Sequence, residues 1–406
     1  MYWACGGKTV SMRDVLIAGA GLGGLTTALA LIQRGHRVRV YEQASDLKEI
    51  GAGVQIGSNG SRLLIALGLR AAMERIVCVP LGREFRLWST GQRWRAFDLG
   101  ESAEERFGAP YWMAHRGDFH AVLLDAVRRA DPEAIRTGNG CVGFEQDGRT
   151  ATIRLANGET ATGDVLIGAD GVHSAIRQQM FGDGRAEFTG IMVWRGLVPM
   201  ERLPEHQRQL VGNNWIGVGG HVVTYPLRRG EILNFVAVIE RDDWRVESWT
   251  EPGTTAECLR DLALWHEDVK TIVRAIDTPF KWALLGREPL DHFSEGRVCV
   301  MGDAAHPTLP FLAQGANMAL EDGIVIARCL DAFDDVAEAL RHYERARLER
   351  TAAIVRGSSD NTKRFHNPAL GDAVGAAAYV DREFQPEKVA ARYNWLYEYD
   401  ALTVAL

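Results

Sequence analysis

The stretch Ile17–Leu31, IAGAGLGGLTTALAL, decides how the chain begins to fold. It carries G-x-G-x-x-G at Gly19, Gly21 and Gly24. Before it, DVLIA is short, apolar and β-prone; after it, residues 22–34 have the Ala- and Leu-rich composition of a helix that Gly35 closes. A second apolar run, RVRVYE at residues 37–42, completes a β-α-β unit with a parallel strand pair. The three glycines have separable tasks. Gly19 permits a tight turn, Gly21 lets a pyrophosphate approach the backbone, and Gly24 lets the helix pack on the strand. The helix start offers free N–H groups and a partial positive charge. Glu42 follows Gly24 by 18 residues, close to the ~20 at which a ribose-binding acid is expected.

The chain around this unit has 406 residues, which predicts two closely packed domains. An apolar share of 46% and a charged share of 24% describe an ordinary globular protein. A net charge of -7 argues against nucleic acid and anionic membranes as partners. The six cysteines are scattered without a C-x-x-C pair, which predicts no metal site, no disulfide framework and a cytoplasmic location. No apolar run approaches the ~20 residues of a membrane helix. The first residues, MYWACGGKTVS, read as a loosely held extension rather than a signal peptide.

Further along, residues 50–59 (IGAGVQIGSN) are again glycine-rich and suit backbone lying against a ligand, with Gly53 and Val54 at the centre. HRGDFHAVLLDAV predicts a helix with Asp118 as N-cap and Arg116 at its start, placed to meet a phosphate. Residues 144–159 alternate around D-G and N-G turns and predict a β-hairpin. DVLIGA at 164–169 predicts a buried strand that ends in Asp170-Gly171, with a helix over 172–180 carrying Arg177. IMVWRGLV, HVVTYPL and ILNFVAVIE predict an antiparallel sheet and a second domain unlike the first. VCVM returns to a strand, ends in G-D-A-A-H-P at residues 302–307, and leads into the helix GANMALEDGIVIARCL. Residues 335–365 form a long helical run whose charges read mostly as a solvated face.

Three motifs thus stand in order: G-x-G-x-x-G with Glu42, Asp170-Gly171 with Arg177, and G-D-A-A-H-P with Gln314-Gly315. In these the chain resembles the single-component FAD-dependent aromatic hydroxylases, most of all salicylate hydroxylase and 3-hydroxybenzoate 6-hydroxylase. The resemblance runs over residues 13–402 and includes HRGDFHAVLLDA and the terminal RYNWLYEYD.

The fold it implies is α/β: a Rossmann-like FAD-binding domain interleaved with a smaller antiparallel-sheet substrate domain, plus C-terminal helices. The expected bounds are 12–182 and 284–364 for the FAD domain, with substrate-domain segments near 75–115. The substrate sheet takes 183–283, and 365–406 is helical. The resemblance gives Gly19, Gly21, Leu22, Gly23, Gly24, Glu42 and Gln43 to the ADP half of FAD, with Gly53, Val54 and Arg116 also in contact with the cofactor. Asp170, Gly171 and Arg177 belong to a motif that meets FAD and pyridine nucleotide; Asp303 meets the ribityl chain. Gly315, Ala316 and Asn317 lie by the flavin ring, and Pro307 lies where oxygen reacts.

The implied reaction is hydroxylation of a small phenolic aromatic acid with O2 and NADH or NADPH, through an FAD C4a-hydroperoxide. A homodimer is implied as well. His221 and Tyr225 lie four apart on one strand and so share a face. In the hydroxylases resembled, this pair faces the substrate, which makes His221 the candidate base and Tyr225 the candidate donor. His306 shapes the flavin loop, and Arg195 is open to pairing with a substrate carboxylate or to a structural ion pair. One departure stands out: Pro310 occupies a position where 3-hydroxybenzoate 6-hydroxylases tend to carry Gln. The alternatives are a hydroxypyridine carboxylic acid such as 6-hydroxynicotinate as substrate, an NAD-dependent dehydrogenase, a flavoprotein of other chemistry, or a non-catalytic flavin binder. The G-W-x-W-x-I-P signature of flavin halogenases is absent.

Overall fold

A computed structural model describes residues 11–47, 52–182, 186–241 and 251–406. The first ten residues of the N-terminal extension and the first two of the IGAGVQIGSN segment lie outside these.

The opening unit forms as its composition demands. Strand Asp14–Ala18 is buried but for Asp14 and pairs in parallel with Arg37–Tyr41 on one side and Val165–Gly168 on the other. Helix Leu22–Ile32 crosses between the first two, and the turn after it places Gly35 at φ +87°. The six-stranded sheet runs Ser294–Glu295, Val298–Val300, Val165–Gly168, Asp14–Ala18, Arg37–Tyr41, Ile135–Arg136, with only its first pair antiparallel. Three segments distant in sequence therefore lie side by side and end at one edge of the sheet. In parallel sheets, ligands bind beyond that edge, where successive strands lead away in different directions. The loops after Ala18, Gly168 and Val300 are the three motifs, so the sheet itself gathers them.

The glycine turn shows why its residues are glycines. Gly19 sits at φ +100°, and a Cβ there would fall 2.3 Å from the Ala169 carbonyl oxygen. A Cβ on Gly24 would fall 2.1 Å from the Gly19 oxygen, whereas one on Gly21 would meet nothing within 4 Å. The close approaches serve packing, and the open position leaves room at the helix start.

A second, seven-stranded sheet takes strands from several stretches, in the order Phe280–Gly286, Glu187–Pro199, Ile232–Glu240, Gly220–Leu227, Val211–Gly217, Gly82–Leu87, Arg93–Asp98. It is antiparallel except for one parallel pair, Val211–Gly217 with Gly82–Leu87, made because the latter arrives from the first half of the chain. One face buries Trp194, Trp215, Val222 and Phe235 under the short helices Thr255–Asp261 and Glu267–Arg274. The other face looks toward the first domain and the 30-residue helix Val336–Phe365. Helices Ala373–Glu383 and Pro386–Glu398 close the C-terminal end.

Some local expectations change. The D-G and N-G turns join three strands, Cys141–Gln146, Ala151–Leu155 and Thr160–Gly163, rather than a single hairpin. The helix after Asp170-Gly171 begins at Ala175, capped by the Ser174 side chain. Helix Arg116–Ala130 starts without a side-chain cap, and Asp118 instead clasps Arg228 of the second sheet's hairpin at 2.7 and 2.8 Å. Among the described residues, no helix is long and apolar enough to cross a membrane.

The Gly24→Ala variant is expected to lose about 1–3 kcal/mol, since a backbone oxygen blocks the added methyl. Gly21→Ala is expected to lose less than about 1 kcal/mol, the scale of a changed N-cap. Urea unfolding of both ligand-free variants checks the contrast; equal losses would contradict it.

Candidate active site

The loops beyond the first sheet form a continuous cradle. Glu42 holds the glycine turn from the next strand: its carboxylate accepts from Ala20 N–H and Ala44 N–H, both at 2.8 Å. His120 meets the Ala20 carbonyl at 2.8 Å. Gln43 stands beside Gly140. Helix Leu22–Ile32 begins with no side-chain cap on its first N–H groups. Leu22, Gly23 and Gly24 are buried there, and Gly23 packs against Met301 and Ala319. Asp170 accepts from Ala175 N–H at 2.9 Å through Oδ2, and its buried Oδ1 has no hydrogen-bond partner. Burial raises the pKa of that carboxyl.

Arg177 does not reach outward with Asp170. It is 2% exposed, and its Nη1 donates to the Ala304 and Ala305 carbonyls at 3.0 and 2.9 Å. It thereby fastens the Asp170 loop to the G-D-A-A-H-P loop. Gly302 turns that loop at φ +57°, which leaves Asp303 exposed and Pro307 half-buried.

A largely buried ion network fixes the same loop from behind. Asp322 Oδ2 accepts from Gly302 N–H at 2.9 Å and meets His306 Nε2 at 2.7 Å, and Oδ1 accepts from Arg347 Nε at 2.7 Å. Glu321 binds Arg347 at 2.6 Å and Arg350 at 2.8 Å, and accepts from Asn59 Nδ2 at 2.6 Å. Asn59 also donates to Gln314 Oε1 at 2.9 Å. Burial alone would raise the Asp322 carboxyl, but His306 and Arg347 outweigh it and hold it at about 2. The charges of the long helix are thus not all solvated: Arg347 is 0% exposed. Composition hid this, because its acidic partners sit on a helix that otherwise reads as apolar.

The network sets helix Gly315–Ala332, which starts with Gly315 and Ala316 and again has no side-chain cap. Ala313 just before it is held at φ +55°. Asn317 accepts from Gly57 N–H at 3.0 Å and donates to the Gln55 and Ala313 carbonyls at 3.1 and 2.9 Å. It therefore locks strand Gly53–Ile56 against the helix start. Gly53 N–H in turn donates to Asn234 Oδ1 at 2.9 Å, which joins the first domain to the second sheet, and Val54 pairs with Ala114 beside it.

Above the cradle, cross-strand neighbours of the second sheet form rows on one face. One row is Trp282, Val193, Val238, His221 and Ile216; the next is Phe280, Arg195, Val236, Val223 and Asn214; the third holds Leu197, Asn234 and Tyr225. A cavity of about 250 Å³ opens along this face, lined by Ala52, Arg195, Leu197, Asn234 and Phe280 among others. Arg195 is 6% exposed and lies over the Phe280 and Trp282 rings, 5.6 and 5.5 Å from their centres. Burial, then the like charge of Arg116, lowers its pKa, so the two arginines face one region. Asn234 Nδ2 is buried and has no hydrogen-bond partner.

His221 and Tyr225 do share this face, but they occupy different surroundings. His221 is 1% exposed between the Phe311 and Phe365 rings, and its Nε2 has no hydrogen-bond partner. Its Nδ1 lies 2.7 Å from His366 Nε2. Burial and His366 drive its pKa well below the ordinary imidazole value, so it is neutral at pH 7. Tyr225 packs over Gly53 in a cluster with Tyr111, Tyr393 and Tyr397, next to Arg83 and Gln55. Burial pushes its hydroxyl pKa up. Sequence reasoning missed Asn234, Asn59, Glu321, Asp322, Arg347 and His366. A buried-strand Asn at 234 was the one available signal; the others depend on pairings remote in sequence.

FAD suits these residues on the structure's own terms. The open position at Gly21 and the uncapped helix start accept a pyrophosphate, the unpartnered Asp170 Oδ1 accepts a hydrogen bond, and a second uncapped helix start awaits a negative ring. A dinucleotide laid across neighbouring strand ends, with its reactive ring beneath a separate sheet, is the arrangement of a flavin-dependent aromatic-ring monooxygenase. The chain belongs to the FAD binding domain family, whose model matches residues 12–358. It is 37% identical to a 3-amino-4-hydroxybenzoate 2-monooxygenase of Streptomyces platensis, over 96% of this chain and 97% of the relative. It is 34% identical to a 3-hydroxybenzoate 6-hydroxylase of Aquipseudomonas alcaligenes, over 95% and 97%. A salicylate hydroxylase substrate complex has a TM-score of 0.80 at 26% identity, covering 98% of this chain and 99% of that one. The protein is an FAD-dependent aromatic monooxygenase that takes its electrons from NAD(P)H. The dehydrogenase alternative is thereby set aside.

Two expectations follow. Glu42→Ala should release FAD during gel filtration, while wild type stays yellow; full retention would remove Glu42 from the cradle. Because Asp322 is lowered to about 2 from an ordinary 3.8, its contribution is complete above 3.8 and is lost as pH falls through about 2. Wild type should lose ~2 kcal/mol over that window from this group. Asp322→Asn should lose about 3–5 kcal/mol at pH 7, where it leaves buried cations unpaired, and should show a flatter acid limb. Chemical unfolding between pH 2 and 7 checks both.

Proposed function

We propose that this monooxygenase hydroxylates a small phenolic aromatic acid of the salicylate or hydroxybenzoate type, with O2 as oxidant. The observation that carries this reading is the cavity beneath the second sheet, where the Arg195 guanidinium and the Asn234 Nδ2, which has no hydrogen-bond partner, meet the walls of Phe280 and Leu197. A cation with a neutral donor suits a carboxylate, and flat apolar walls suit one aromatic ring. At about 250 Å³ the space favours a single ring.

Bound FAD supplies the two-electron chemistry that activates oxygen, which no side chain can provide. Gly19, Gly21, Gly24 and Glu42 would hold its ADP half, with Asp303 and the start of helix Gly315–Ala332 nearer the ring. The chain's own residues then do the rest. Arg195 and Asn234 fix the acid end of the substrate. Phe311, Phe280 and Trp282 keep water from the reacting centre. His221, two strands from Arg195 on the same face, presents a bare Nε2 that accepts the phenol proton. A phenolate ring is the better nucleophile, so a base at that place speeds oxygen transfer. Tyr225 packs on strand Gly53–Ile56 from above and fits a donor role less directly. A hydroxypyridine acid offers the same carboxylate and ring hydroxyl, and 6-hydroxynicotinate 3-monooxygenase of Pseudomonas fluorescens is 34% identical to this chain.

A panel of hydroxybenzoates, aminohydroxybenzoates and hydroxypyridine acids, followed by NADH consumption with product identification, tests the reading. A hydroxylated product from at least one acid is expected; NADH oxidation with peroxide alone would sink it. His221→Ala should cut the hydroxylation rate by about 10²–10⁴ and keep its yellow flavin. Arg195→Leu should raise KM at least ten-fold, in line with the ~1.5–3 kcal/mol of a charged hydrogen bond.

A further inference from the structure

Behind His221 a chain of side chains runs out of the core. His221 Nδ1 lies 2.7 Å from His366 Nε2, and His366 Nδ1 lies 2.6 Å from Glu240 Oε1. Exposure rises along it: 1% at His221, 6% at His366, and 50% for the Glu240 side chain. The carboxylate fixes every hydrogen. A carboxylate only accepts, so His366 Nδ1 carries the proton and its Nε2 is bare. His221 Nδ1 must then donate to that nitrogen, which leaves the His221 Nε2 as a bare lone pair on the sheet face that also carries Arg195.

We propose that His366 and Glu240 form the outlet by which a proton taken by His221 from the substrate hydroxyl reaches solvent. The step balances without a further reagent. The phenol O–H bond breaks and an N–H bond forms at His221 Nε2. The Nδ1 proton of His221 passes to His366 Nε2, and the Nδ1 proton of His366 passes to Glu240, which yields it to water. When product leaves as a neutral phenol it takes a proton back from Nε2, and the chain runs in reverse.

Two facts favour a conduit over packing. His221 and His366 sit on different elements, strand Gly220–Leu227 and the end of helix Val336–Phe365, yet they align nitrogen to nitrogen. Among the described residues, the other groups that flank His221 are apolar: Ile216 and Val238 on the adjoining strands, with Phe311 and Phe365 over the ring. Burial also depresses His366 despite Glu240, so both imidazoles rest neutral and able to pass a proton on.

The inference rests on His221 as the partner of the phenol, and the experiment separates the two. Oxidised, FAD-loaded enzyme is mixed by stopped flow with salicylate, 3-hydroxybenzoate or 3-amino-4-hydroxybenzoate in weak buffer containing phenol red. Flavin absorbance reports binding and the dye reports proton release. Wild type should release up to one proton per phenol bound. Glu240→Gln should bind with the same flavin change but release the proton at least ten-fold more slowly. His366→Ala should do the same and recover with millimolar imidazole, which a packing defect would not. Unchanged release in both variants would overturn the relay and leave the hydroxylase reading standing. No flavin change with any of the acids would overturn both.

Discussion

Asp322 is the point on which the site depends. Its two oxygens are divided between Gly302 N–H and His306 on one side and Arg347 on the other, all out of water. With Glu321, Arg350 and Asn59 added, one polar cluster holds the loop after the third parallel strand, the start of helix Gly315–Ala332, helix Ser58–Ala66 and the long C-terminal helix. Such a cluster need not add net stability, because desolvation opposes attraction. What it adds here is position: three helices and a loop cannot slide without leaving a buried polar group unpaired. The G-D-A-A-H-P loop owes its shape to groups buried behind it.

Several contacts tie the second sheet to this frame. Gly53 N–H on Asn234, Tyr225 against Gly53, and Asp118 on Arg228 bridge the two halves. Gly53 tolerates no side chain, for a Cβ would lie 2.5 Å from the Tyr225 ring. The strand that touches the ceiling is also the strand Asn317 locks to the floor, so one short segment sets the height of the site. The cavity between Arg195, Asn234 and Phe280 is the gap this spacing leaves.

Much of this was legible in the chain. The glycine spacing led to the parallel sheet because each glycine answers a local steric demand. The even separation of His221 and Tyr225 placed both on one face because a strand alternates. Where the reading stopped, the physics was non-local. Arg347 lies in a stretch so rich in charge that a wet surface was the natural inference, and only its pairing with Glu321 and Asp322 reveals a buried side chain. His366 and Glu240 lie 145 and 126 residues from their partners, beyond any periodic signal. Arg177 was read as part of the Asp170 motif, yet its guanidinium turns inward to hold a neighbouring loop instead of outward. Asp118 looked like a helix cap by type and position, and a domain-bridging ion pair claimed it.

The order of strands in the first sheet has a consequence for how the protein comes into being. Its central strand, Asp14–Ala18, pairs with Val165–Gly168, which pairs in turn with Val298–Val300. Contacts that span so much of the chain close slowly, because loop entropy is spent before they are rewarded. The glycine turn gains its neighbour Arg37–Tyr41 locally, whereas Val165–Gly168 and Val298–Val300 come to it from far along the chain. The cradle is therefore complete only when strands from three distant parts of the chain have paired.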